Sequence, residues 1–215
     1  MAASVTKGSK PATRKISSHP TSVSADEAAG RDAAAGPVVF TIGHSTRPIE
    51  EFIAMLQGHG VRRLVDVRTV PRSRHNPQYA QENLPGHLQA AGIAYGHRAG
   101  LGGFRRTSDD SPNKGWRNTS FRGYADYMQT EAFEHELQWL MDAARREQVA
   151  TMCAEAVPWR CHRSLIADAL LVHGMRCEEI VSAQRSQARK LTPFARVHGQ
   201  RITYPPPDPA AAAGV

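Results

Sequence analysis

Short, uniformly apolar runs alternate along this chain with stretches of helical periodicity, and that alternation restricts its fold more than any other feature. The runs cover residues 38–42, 64–67, 93–97, 149–154 and 177–181, and several are rich in β-branched side chains. Such runs read as strands buried on both faces. After the first, Pro48 opens a helix with Glu50 and Glu51 in its first turn, where the helix dipole favours carboxylates, and with Ile49, Phe52, Ile53 and Leu56 on one face. A second helix is expected over roughly residues 79–91, broken in two at Pro85-Gly86. Helices over 121–129 and 131–147 follow a long Gly/Ser/Asn/Asp/Arg-rich loop at 100–120; the second puts Phe133, Leu137, Leu140, Met141 and Ala144 on one face. A last helix begins after Cys161 and ends at Gly174, and residues 191–204 offer a hairpin or an edge strand.

Strands alternating with helices imply parallel βαβ units, hence an α/β, three-layer Rossmann-like sandwich with a mostly parallel sheet of about five strands. In that architecture ligands bind outside the carboxyl ends of the strands. The chemistry-bearing residues of this chain follow its strands. His44 and Ser45 come after the first, Asp66 and Arg68 at the end of the second with Arg72, Ser73 and Arg74 in the loop beyond, and Gly102-Gly103 after the third. Cys153-Ala154-Glu155 and Cys161-His162-Arg163 surround the junction between the fourth strand and its helix. Distant segments are therefore expected to meet at one sheet edge.

The residue types at that edge support three chemistries. Cys161, beside a helix N-terminus, His162 and Arg163, has the surroundings that lower a thiol pKa and activate a nucleophile. On this reading His44 or His162 is the base, Glu155 or Asp66 orients it, and Cys153 is a second candidate nucleophile. Ser45, Arg68, Arg72, Ser73, Arg74, Gly102, Gly103 and Arg163 would bind an anionic substrate through guanidinium forks and close backbone approach. This is a cysteine-dependent hydrolase or transferase. The second reading is a Cys/His/carboxylate metal site, although no C-x-x-C pair is present and adjacent residues rarely both face one ion. The third is a nucleic-acid-binding module without catalysis, with Trp116 as its stacking residue. The residues do not identify a cofactor.

Gly43-His44-Ser45, Val65-Asp66-Val67-Arg68 with Pro71-Arg72-Ser73-Arg74, Leu101-Gly102-Gly103, Cys153-Ala154-Glu155 and Cys161-His162-Arg163 occur in the order and rough spacing of the family called domain of unknown function 488, which the chain resembles from about Val38 to about Tyr204. The resemblance implies an α/β fold and a shared polar site, with no established reaction. One departure is local: Glu155 is followed by Ala156-Val157 where the family pattern leads to more polar residues. The segments also look like the rhodanese and dual-specificity phosphatase arrangement, in which a cysteine loop wraps an anion and closes on an arginine. Here nine residues separate Cys153 from Arg163, and they are not glycine-rich.

Composition narrows the setting. At 215 residues the chain can bury one good core. Residues 1–36 have almost no large apolar side chains and read as a disordered tail, 37–204 as a single α/β domain, and 205–215 as a solvated C-terminal tail. No apolar run approaches 18 residues, so no membrane partner is expected. An odd set of three cysteines without a secretory signal favours reduced thiols in the cytoplasm. The net charge of +7, carried mainly by arginine, attracts anions, whether small molecules or nucleic acid.

Overall fold

The computed structural model describes residues 1–2 and 36–207; both proposed tails lie largely outside the described residues. The chain divides at Ala34, and every element below belongs to the unit Ala35–Val215. Its elements run β1 (Val38–Gly43), α1 (Ile49–Gly58), β2 (Arg63–Asp66), α2 (Leu84–Ala90), β3 (Ala94–His97), α3 (Thr119–Tyr127), α4 (Glu131–Arg146), β4 (Val149–Cys153), α5 (Arg163–Val172), β5 (Arg176–Ser182), β6 (Arg185–Ala188), β7 (Arg196–His198) and β8 (Arg201–Thr203). Short 3-10 turns at Pro77–Tyr79, Ala99–Leu101 and Pro158–Arg160 punctuate the loops.

β1 to β6 form one sheet in the order β3-β2-β4-β1-β5-β6. Five strands are parallel, and β6 runs antiparallel along the β5 edge. Alternation along each strand divides the core between two faces. Phe40, Leu64 and Ala150 point to the side covered by α1 and α2, where Phe52, Leu56, Leu84 and Leu88 meet them. Val39, Val65 and Val149 point to the other side, against Tyr124 of α3, Phe133 and Leu137 of α4, and Leu165 and Ile166 of α5. The result is the three-layer sandwich.

Local chemistry explains the helix ends. Asn118 caps α3 by accepting from the Ser120 N–H (2.8 Å), and Thr130 caps α4 by accepting from the Phe133 N–H (3.3 Å). α4 also carries Glu131 and Glu134 in its first turn and Arg145 and Arg146 in its last, matching its dipole. Pro85 sits in the first turn of α2, where its missing N–H costs nothing, so the proline starts this helix rather than interrupting a longer one.

The carboxyl ends converge because of register. Gly43 of β1 lies opposite Cys153 of β4, Asp66 of β2 opposite Met152, and His97 of β3 opposite Asp66. From β1 the chain crosses over α1 toward β2 on one face; from β4 it crosses over α5 toward β5 on the other. The gap between β1 and β4 is therefore the sheet's switch point, where open α/β sheets place ligands.

Candidate functional site

Beyond the switch point the ladder continues past the strands, with His44 N–H donating to the Cys153 carbonyl and Ser45 N–H to that of Ala154, each at 2.9 Å. Gly43 is obligatory here, because a Cβ on it would stand 2.0 Å from the Glu155 carbonyl oxygen. Ser45 takes a left-handed backbone conformation (φ 50°) immediately afterwards, uncommon for a residue with a side chain.

Below the surface lies a layer of buried charge. Arg68 is clamped by Asp66, with Nη2 to Oδ2 at 2.6 Å and Nε to Oδ1 at 2.9 Å, and its Nη2 also donates to the Tyr79 carbonyl. Tyr95 donates to the same Asp66 carboxylate at 2.8 Å. His44 is 2% exposed, stacks on Tyr79 at 4.1 Å and donates from Nδ1 to the Ser45 carbonyl, leaving Nε2 to face Arg68 Nη1 at 3.4 Å. Burial, reinforced by the Arg68 charge, lowers its pKa to about 4, so His44 is neutral at pH 7.

Arg163, 1% exposed, opens α5 and turns inward. Its Nη1 donates to Thr41 Oγ1 at 2.8 Å and reaches both Glu179 oxygens at 3.4 Å; Nη2 donates to the Glu155 carbonyl at 2.7 Å. Thr41 and Glu179 are register partners on β1 and β5, which places them together under one guanidinium. The Glu155 carboxylate accepts from the Val157 N–H instead. Pairing of Glu155 with Arg68 or Arg163, the natural guess from charge alone, does not occur: each buried arginine is matched by a buried acid, and Glu155 is exposed.

Above this layer, Cys153 Sγ, Cys161 Sγ and a ring nitrogen of His162 lie within 4.8 Å of one another. His162 Nε2 donates to the Val67 carbonyl at 3.0 Å, which orients the ring with Nδ1 facing Cys161 Sγ at 3.7 Å, within reach of its proton. The ring rests against Gly103, where a Cβ would meet Nδ1 at 2.5 Å. The neighbouring Cys153 thiol, with support from His162 and Arg163, holds Cys161 well below the ordinary thiol range despite burial. Cys153 is held correspondingly high by Cys161 beside it and by burial. Cys177 lies apart in the core, and burial pushes it up to about 12.

The sulfurs and His162 line a cleft of about 450 Å³ together with Arg68, Arg72, Gly103, Glu155 and Arg160. Of the residues singled out from sequence, Cys153, Cys161, His162, Glu155, Arg68, Arg72 and Gly103 meet in its wall. His44, Asp66, Arg163 and Gly102 are buried and do not line the cleft. Ser45, Ser73 and Arg74 are not on its wall either. Sequence reasoning missed Thr69, Asn118, Ser120 and Arg160; only Arg160, next to Cys161, offered a signal. Trp116 is no free stacking platform, since it packs among Phe121, Phe194 and Tyr204.

Two chemistries are open to this arrangement. A Cys161 thiolate with His162 Nδ1 beside it would combine a nucleophile and a proton carrier in one unit. Two sulfurs and an imidazole are also a three-donor set suited to a thiophilic ion such as zinc, and the Val67 carbonyl behind His162 is the kind of outer partner such histidines have.

No curated protein and no solved structure matches this chain. A family model matches residues 48–170, from the start of α1 almost to the end of α5. That segment contains the Asp66-Arg68, Gly102-Gly103, Cys153 and Cys161-His162-Arg163 positions, whereas Gly43-His44-Ser45 precede it. The chain belongs to the family described as Domain of unknown function DUF488.

Proposed function

We propose that the protein is a cysteine-dependent hydrolase or transferase acting on an anionic, phosphate-bearing substrate. The observation that carries this reading is the placement of Cys161 Sγ 3.7 Å from His162 Nδ1, with His162 Nε2 committed to Val67, at the wall of an arginine-lined cleft. The proton that Cys161 gives up as the thiolate forms passes to His162 Nδ1. The thiolate attacks the electrophilic centre of the substrate, and the bond to the leaving group breaks with its electron pair. The imidazolium returns the proton to that group from Nδ1. Water or a second acceptor then releases the bound fragment and restores the thiolate. Arg72 and Arg160, both exposed at the cleft, attract the anion; Arg68, held by Asp66 and Tyr79, adds a fixed positive charge to the wall. A cytoplasmic setting suits a site that needs reduced thiols.

The test is the pH dependence of alkylation at each cysteine, resolved by mass spectrometry. Cys161 is expected to react as a thiolate at pH 6 to 7, and faster with iodoacetate relative to iodoacetamide than a free thiol does. An apparent pKa near the unperturbed ~8.5 would overturn the nucleophile. A second reading, a Cys153/Cys161/His162 metal centre, is favoured by the same 4.8 Å cluster. Elemental analysis decides it: one tightly bound zinc per chain would replace the nucleophile reading.

A further inference from the structure

The only exposed large aromatic side chains among the described residues are Phe104 (82%) and Trp159 (71%), and they stand on either side of the cysteine site. Phe104 lines the central cleft. Trp159 lines a second cleft of about 840 Å³ on the far side of residues 154–160. That segment is the wall between them, giving Ala154, Glu155 and Arg160 to the first and Ala156, Pro158 and Trp159 to the second. A third, smaller cavity beside Arg106 shares Ser120 with the central one. The three depressions thus follow one another along the surface, with Cys161 at the middle.

Their charge is predominantly positive. Arg106, Arg72, Arg160, Arg189 and Lys190 line the sequence of clefts, and none has an acidic partner among the described residues. The acids on the same walls are Glu155, which accepts from the Val157 N–H, and Glu179, which Arg163 holds. Arg189 Nε and Trp116 Nε1, both in the second cleft, are buried donors without a partner. A run of cations punctuated by two exposed aromatic rings matches a chain that alternates phosphates with flat bases. An acidic peptide would use the cations and leave the rings idle.

We propose that these clefts form one track for single-stranded nucleic acid, with bases stacked on Phe104 and Trp159 and the intervening phosphodiester carried past Cys161. This names the substrate class of the cysteine site and rests on that reading for its chemistry, though not for binding. A duplex is excluded from the track because its bases are stacked on one another and cannot reach the rings.

Fluorescence anisotropy of the full chain with labelled 15-nucleotide dT and U oligomers tests the track. Binding is expected to weaken roughly fiftyfold between 50 and 200 mM salt, the slope for about four single-strand phosphate contacts. Phe104→Ala and Trp159→Ala are each expected to weaken it about tenfold, while Val197→Ala, an exposed apolar residue outside all three clefts, leaves it unchanged. Equal affinity for a duplex or for a poly-glutamate chain of equal charge would overturn the proposal, as would aromatic variants that bind normally. The two readings fail separately: weak oligomer binding with rapid Cys161 alkylation removes only the track, and the reverse outcome removes only the thiolate.

Discussion

Arg163 shows how one residue can look like a ligand-binding group and serve the fold beneath the site. Its guanidinium is buried between β1 and β5, so its charge needs Glu179, and removing one partner strands the other without solvent. Arg163→Leu is expected to destabilise the protein by about 3–5 kcal/mol, with Arg163→Leu/Glu179→Leu recovering part of the loss; urea denaturation measures both. His44 gives a pH signature of the same buried layer. Its pKa falls from 6.5 unfolded to about 4 folded, so the unfolded state binds the extra proton between those values. Stability is full above pH 6.5 and declines by about 3 kcal/mol as pH falls through 4. His44→Gln should flatten the unfolding free energy across that window, and an unchanged profile would assign the acid sensitivity elsewhere. Neither role was visible in sequence, because Arg163–Glu179 and His44–Arg68 are set by strand register and not by spacing.

At the scale of elements, the loop between β3 and α3 is organised by one carboxylate. Asp126 of α3 accepts from Thr107 Oγ1 (3.0 Å), the Ser108 N–H (2.9 Å), Ser111 Oγ (2.5 Å) and Asn113 Nδ2 (2.8 Å). Against the pull of partial burial, these bonds hold Asp126 below the ordinary carboxylate range. Asp126→Ala should therefore open the loop that carries Phe104 and Arg106. Faster proteolysis within 104–113, at a global stability cost of about 1–3 kcal/mol, is the expected result; an unaltered cleavage rate would show the loop is held by other contacts. Gly103, in the same loop, tests the contact with His162, since Gly103→Ala would push a Cβ against His162 Nδ1. Cys161 alkylation at pH 7 should slow several-fold with little change in melting temperature. The buried strands and amphipathic helices were legible because their patterns are periodic. β6 was not, because Arg185-Ser186-Gln187-Ala188 is a polar edge strand whose partner, β5, supplies the reason for it to be extended.

For the whole molecule, the last element matters more than its position suggests. The hairpin of β7 and β8 leads to Tyr204, fully buried, whose hydroxyl donates to Asp168 on α5 at 2.9 Å and whose N–H donates to Asn113 at 2.9 Å. The Gly115 N–H returns a bond to the Tyr204 carbonyl, and Ile202 enters the core on the same face. This segment closes the sandwich over α5 and fastens the 105–115 loop to it, which ties the aromatic edge of the cleft to the helix that begins at the cysteines. Every core residue among the described ones lies between Val39 and Tyr204. Ending the chain at 199 should consequently abolish cooperative unfolding, because it removes Ile202 and Tyr204 and takes the Tyr204 hydroxyl from Asp168, whose carboxyl burial already raises. A chain beginning at 37 should unfold with an unchanged cooperative transition, since the composition of residues 1–36 supplies no core. Calorimetry on the two truncations distinguishes them. A cooperative transition in the first would show that the hairpin covers a core already complete without it, and loss of cooperativity in the second would give residues 1–36 a structural role.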